Sequence, residues 1–154
     1  MFFLLNKHFR LRSPSSPDPA GAGSPLQTFE VPVITPQLTL DPAALARLAE
    51  LDPKGESRLI ERVLKAYQIS AARLMPQLEV ARLSGDRATI RLVVHTLKSS
   101  SASIGALTLS QLCAQLENDI RTDAGNDLNI GINAISAELG IALEAIARLL
   151  EPRP

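Results

Sequence analysis

A chain of 154 residues has room for one ordinary domain and a tail, and its 16 acidic and 16 basic side chains leave no net charge with which to grip nucleic acid or an anionic membrane. The apolar residues are aliphatic rather than aromatic (no Trp, one Tyr, four Phe), and a composition rich in Leu and Ala favours helix. A lone cysteine, Cys113, excludes an internal disulfide and fits a reducing, cytoplasmic compartment.

Met1-Phe2-Phe3-Leu4-Leu5 is followed by Lys7, His8, Arg10 and Arg12. A secretory signal places its charges before a longer apolar run, so order and length both argue against one, and the run is far too short to span a bilayer. A weak interfacial contact is the most it supports. From Ser13 to Pro36 the chain is Ser, Pro, Gly and Ala with few large apolar side chains, a composition that predicts a disordered tail over residues 1–37. The folded part is expected over residues 38–151.

Asp41-Pro42 supplies an N-cap and a first-turn proline for a short helix carrying Leu45 and Leu48, which breaks around Leu51-Asp52-Pro53-Lys54-Gly55. A second helix is predicted from about Glu56 to Leu83. Ile60, Val63, Leu64, Tyr67, Ala71, Leu74, Leu78 and Ala81 recur along it at the three-then-four rhythm of a buried stripe. Pro76 should kink or divide it. Ser84-Gly85-Asp86 reads as a stop and then a cap for the third helix, whose stripe is Ile90, Val93, Val94, Leu97 and Ile104, with Ser101 at a step lacking bulk and Gly105 as terminator. The fourth helix carries Leu109, Leu112, Cys113, Leu116 and Ile120 and ends before Thr122-Asp123-Ala124-Gly125-Asn126. The fifth carries Leu128, Ile132, Ile135, Leu139, Leu143, Ile146 and Leu150. No segment alternates long enough to read as a strand. The expected fold is all-α: an antiparallel up-down four-helix bundle with a short N-terminal capping helix.

The segment from His95 to Ala106 is not explained by packing. Residues three and four apart on a helix are neighbours, so Arg91, His95, Lys98 and Ala102 form a row of their own at the edge of the apolar stripe or outside it, and Ser99 joins His95 and Lys98 in one patch. Serine-rich helix interiors are mildly unfavourable, so Ser99, Ser100 and Ser103 do not serve local helix stability. Low bulk beside an imidazole instead lets another protein approach it. A neutral imidazole is a nucleophile at physiological pH, and nearby cations neutralise an incoming phosphoryl group.

In this stretch the chain resembles the histidine-containing phosphotransfer (HPt) domains of multistep two-component signalling. The resemblance rests on Gly85-Asp86, Val94-His95-Thr96-Leu97-Lys98-Ser99-Ser100, Ile104-Gly105-Ala106, Leu109, Cys113 and Leu116-Glu117, and is close from Asp86 to Arg121. It implies that His95 is phosphorylated, on the ring nitrogen farther from the backbone, and that Lys98 stabilises the phosphoryl group. Glu117 and Arg121 occupy positions on the next helix where the family often sets polar groups beside the phosphohistidine, and Arg91 adds a cation. Ser99 departs from the family's usual glycine; its hydroxymethyl group would narrow the choice of partner without preventing phosphorylation.

The chain has no phosphate-cradling glycine loop, Walker pattern, kinase motif set or carboxylate cluster fit to hold a metal alone. The resemblance therefore implies a phosphocarrier rather than an enzyme, with Mg2+ and the reactive aspartate supplied by receiver domains of response regulators and of a hybrid sensor histidine kinase. One phosphoacceptor on a short bundle favours a monomer. The main rival is a catalytically silent HPt-like module that regulates a partner by docking alone. The phosphoacceptor region of a histidine kinase ordinarily carries an ATP-binding domain after it, and a metal-binding bundle needs more than the two histidines present. Cys113 and Tyr67 read as core residues, Tyr67 with its hydroxyl at a wet edge.

Overall fold

The computed structural model describes residues 39–152 and Pro154. The tail expected over residues 1–37, with its apolar start, lies outside the described residues. Five helices follow in order: α1 Pro42–Glu50, α2 Leu59–Ser84, α3 Arg87–Ser103, α4 Leu107–Thr122 and α5 Leu128–Leu150, with no strand among the described residues.

Local chemistry sets the ends of these helices. The Asp41 carboxylate accepts the Ala43 amide at 3.1 Å ahead of Pro42 at the start of α1. Asp86 caps α3 by accepting from the Thr89 amide at 3.1 Å, and Asp127 caps α5 by accepting from Asn129 at 2.9 Å. α2 begins at Leu59 rather than near Glu56. The Asp52 carboxylate accepts the amides of Ser57 (3.1 Å) and Leu59 (3.2 Å), which holds the preceding residues as a loop, and Arg58 turns through a positive φ of 49° to enter the helix. Nor does Pro76 divide α2, which runs unbroken for 26 residues. Pro76 and Ala72, the residue whose carbonyl the proline cannot bond, both lie on the exposed face, while Ala71, Leu74 and Leu78 stay buried on the other side.

The predicted stripes converge on one core. α2 contributes Leu64, Tyr67, Ala71, Leu74, Leu78 and Ala81, α3 contributes Ile90, Val93, Val94 and Leu97, and α4 contributes Leu109, Cys113 and Leu116. α5 adds Ile132, Ile135, Leu139, Ala142 and Ile146. Neighbouring helices pack α2 on α3, α3 on α4, α4 on α5 and α5 on α2, which closes the four-helix bundle, with α1 laid against α2. Ion pairs and hydrogen bonds at the ends agree with the antiparallel order: Arg87 at the start of α3 meets Asp123 after α4 (3.1 Å), and Arg82 near the end of α2 meets Asn129 at the start of α5 (3.2 Å). α5 is long and apolar enough to cross a membrane by length and composition, and here it serves as a core helix of the bundle.

Tyr67 corrects one expectation. Its hydroxyl does not reach a wet edge: it hydrogen-bonds Ser101 Oγ at 2.8 Å inside the bundle, with Tyr67 4% and Ser101 0% exposed. The step without bulk on α3 is where a tyrosine from α2 fits. At the far end of α3, Gly105 turns with φ 84° and its carbonyl accepts the Asp41 amide at 2.8 Å, joining the entry to α1 to the end of α3.

Candidate functional site

The core stripe of α3 decides which way His95 faces. Val93, Val94 and Leu97 are buried, and His95, about 100° further round than Val94, is left with its side chain 56% exposed. Ala88, Arg91, Leu92, His95 and Glu117 line a shallow depression on this side of α3 and α4.

One carboxylate organises that surface. Glu117 Oε1 lies 2.8 Å from His95 Nδ1, and Oε2 accepts from Lys98 Nζ at 2.5 Å. Glu117 is 15% exposed, and the hydrogen bond from Lys98 is the main reason its carboxyl stays below the usual carboxylate range; the contact with His95 works in the same direction, against the cost of burial. It is therefore an anion at neutral pH and can only accept. A neutral His95 facing it must carry its proton on Nδ1, which leaves the Nε2 lone pair free on the exposed side of the ring. The arrangement presents a nucleophile with its tautomer held by the protein.

The other expected site residues fall into place unequally. Lys98, 32% exposed, meets Glu117 rather than standing as a separate cation beside the imidazole. Arg91 lies one turn before His95 on the same depression. Ser99 Oγ donates to the His95 carbonyl at 3.3 Å, so its hydroxyl is turned back on the helix and it adds little more than a methylene to the surface. Arg121 is apart from the cluster: its guanidinium donates to Asn118 Oδ1 at 2.5 Å on its own helix, and it does not line the depression. Ser110, which no spacing singled out, donates from α4 to the Lys98 carbonyl at 2.9 Å and ties the two helices at the level of the lysine. Cys113 is fully buried, and desolvation pushes its thiol up to about 12, so it is a core residue and not a second nucleophile. Among the described residues, no three His, Cys, Asp or Glu side chains converge as a metal site.

Comparison with known proteins bears on the same region. The model of the Hpt domain family matches residues 62–150. Sensor protein TorS of Escherichia coli (strain K12) is 47% identical over 58 residues, which is 38% of this chain and 6% of that protein. The crystal structure of histidine-containing phosphotransfer protein B (HptB) from Pseudomonas aeruginosa PAO1 superposes with a TM-score of 0.65, covering 73% of this chain and 94% of that one at 22% identity, a likeness of fold.

Proposed function

The chain belongs to the Hpt domain family, the phosphotransfer modules of two-component phosphorelays, and from that premise we propose that it accepts a phosphoryl group on His95 Nε2 from the aspartyl phosphate of one receiver domain and passes it to the aspartate of another. The observation that supports this reading best is the contact of His95 Nδ1 with Glu117, at 2.8 Å, on a ring that is 56% exposed. In phosphoryl transfer the protein's task is alignment and charge neutralisation. His95 supplies the aligned lone pair. Lys98 and Arg91 supply positive charge near it, and the small side chains of Ser99, Ala102 and Ser103 leave room for a partner to close over the ring.

The chain acts as a carrier. Mg2+ and the reactive aspartate belong to the partner receiver domain, and the partners are response regulators and a hybrid sensor histidine kinase. The test is transfer of labelled phosphate from a panel of phosphorylated receiver domains to the wild-type protein and to His95→Gln, with a competent carrier as control. Acid-labile, base-stable label on wild type alone supports the reading. No label on wild type, from receivers that load the control, refutes it in favour of a module that regulates by docking.

A further inference from the structure

Glu117 holds both groups that a phosphoryl group on His95 would depend on. Its Oε1 faces His95 Nδ1 at 2.8 Å while its Oε2 engages Lys98 Nζ at 2.5 Å, and at 15% exposed it is the least exposed of the three side chains. Lys98 is thus already paired before any phosphate arrives. We infer that Glu117 keeps the phosphoryl group of His95 transferable by competing with it for Lys98. The inference rests on the phosphocarrier reading of His95 and assigns Glu117 as a positioning residue that sets the balance of the exchange.

The charges can be followed through the step. In acceptance the Nε2 lone pair attacks the phosphorus of the partner's aspartyl phosphate; the N–P bond forms, the P–O bond breaks, and the aspartate leaves as a carboxylate. The Nδ1 proton stays on the ring against Glu117, so the ring becomes cationic as the phosphoryl group arrives, and the site as a whole gains one negative charge. The Glu117 carboxylate attracts the ring cation at Nδ1, 2.8 Å away, and repels the phosphoryl group on the far side of the ring, so these two effects oppose one another and Lys98 sets the balance. If Lys98 moves to the phosphoryl oxygens, Glu117 gives up its 2.5 Å partner; if Lys98 stays, the phosphoryl group lacks it. This competition raises the phosphorylated state relative to the free one. The return step is eased, because Nε2 departs with its electron pair as the neutral, Nδ1-protonated imidazole from which acceptance began. Arg91, on the same depression, remains to offset part of the repulsion.

Glu117→Gln separates charge from geometry, since the amide oxygen still accepts from Nδ1. Wild type and variant are each equilibrated with a receiver domain carrying labelled phosphate, and the ratio of phosphohistidine to aspartyl phosphate is measured with the lifetime of the isolated phosphoprotein. The expected result is a shift of about tenfold toward phosphohistidine, the scale of effect of one poorly solvated charge at close range, and a longer-lived label. Ring 15N spectra should still show the proton on Nδ1. Glu117→Ala, which also removes the acceptor, should lose that tautomer preference. Label on wild type with a ratio unchanged in Glu117→Gln, or moved toward the receiver, overturns the inference alone. No label on wild type overturns the phosphocarrier reading and this inference with it.

Discussion

His95 Nδ1 and Glu117 Oε1 lie 2.8 Å apart, although 22 residues separate them in the chain, and this is the sole side-chain hydrogen bond of the His95 ring among the described residues. A ring that is 56% exposed and fastened at one atom contributes little to the core. His95→Gln should therefore abolish phosphate acceptance while the helical circular dichroism and the melting temperature stay near wild type, within the roughly 0.5 kcal/mol typical of exposed sites. A variant that still takes label removes His95 from the mechanism.

Lys98→Ala acts on two properties at once. On the proposed carrier role it would remove a cation from beside the phosphoryl group, so acceptance should slow and the phosphorylated form should lose label faster. It also strips Glu117, 15% exposed, of its 2.5 Å partner, which should lower stability by about 1 kcal/mol. Transfer kinetics and urea unfolding on the same preparation check both effects. Unchanged kinetics would deny Lys98 its role even if the stability loss appears.

The helices were legible because their apolar residues recur at three- and four-residue steps, and Leu64, Tyr67, Ala71, Leu74 and Leu78 are buried as that rhythm requires. The row from Arg91 through His95 to Lys98 was legible for the same reason, since neighbours on one helix follow from spacing alone. Contacts between helices do not follow from spacing; only the resemblance set Glu117 beside His95. Whether Glu117 meets His95, Lys98 or solvent depends on how far α4 is rotated against α3, which no periodicity within α4 specifies. The same holds for Tyr67 reaching Ser101 and for Ser110 reaching the Lys98 carbonyl. Asp52 hid for a different reason: it caps residues five and seven positions later, outside the usual two- to three-residue reach of an N-cap.

The buried Tyr67–Ser101 hydrogen bond predicts a non-additive pair. Tyr67→Phe leaves the Ser101 hydroxyl, 0% exposed, without this partner and should cost about 1–3 kcal/mol. Ser101→Ala strands the tyrosine hydroxyl similarly. The double variant removes both polar groups together and should be more stable than the sum of the two losses implies. Strict additivity in chemical denaturation would mean that the 2.8 Å contact carries no coupling.

Acid should weaken the fold through its paired carboxylates. Glu117 is held below the usual range chiefly by the Lys98 hydrogen bond, Glu61 by Lys65, Glu79 by Arg82, and Asp86 by Thr89. Each is lower in the folded than in the unfolded chain, so its contribution is complete above the unfolded values near pH 4 and is lost as pH falls through the folded ones. Melting temperature should be level from about pH 7 to about pH 5 and fall below that. Asp86→Asn and Glu117→Gln should each flatten the fall; curves parallel to wild type would exclude these groups as its source.

Gly105 and Gly55 both adopt positive φ, 84° and 70°, but their surroundings differ. A side chain at Gly55 would meet nothing within 4 Å, so Gly55→Ala should cost only the backbone strain of about 1 kcal/mol. A Cβ at Gly105 would lie 2.7 Å from the Asp41 nitrogen and 2.9 Å from its carbonyl oxygen, both backbone atoms. The Asp41 amide also donates to the Gly105 carbonyl at 2.8 Å, so relieving the overlap pulls α1 off the end of α3. Gly105→Ala should therefore cost the strain plus the loss of that hydrogen bond and the burial of Leu40 and Ala44, about 2–4 kcal/mol in all. His95 lies ten residues earlier on α3, about 15 Å along the helix, so phosphate acceptance at low temperature should persist while stability falls. Equal costs for the two alanine variants in urea titrations would show that the close approach of α1 to Gly105 is not maintained in solution.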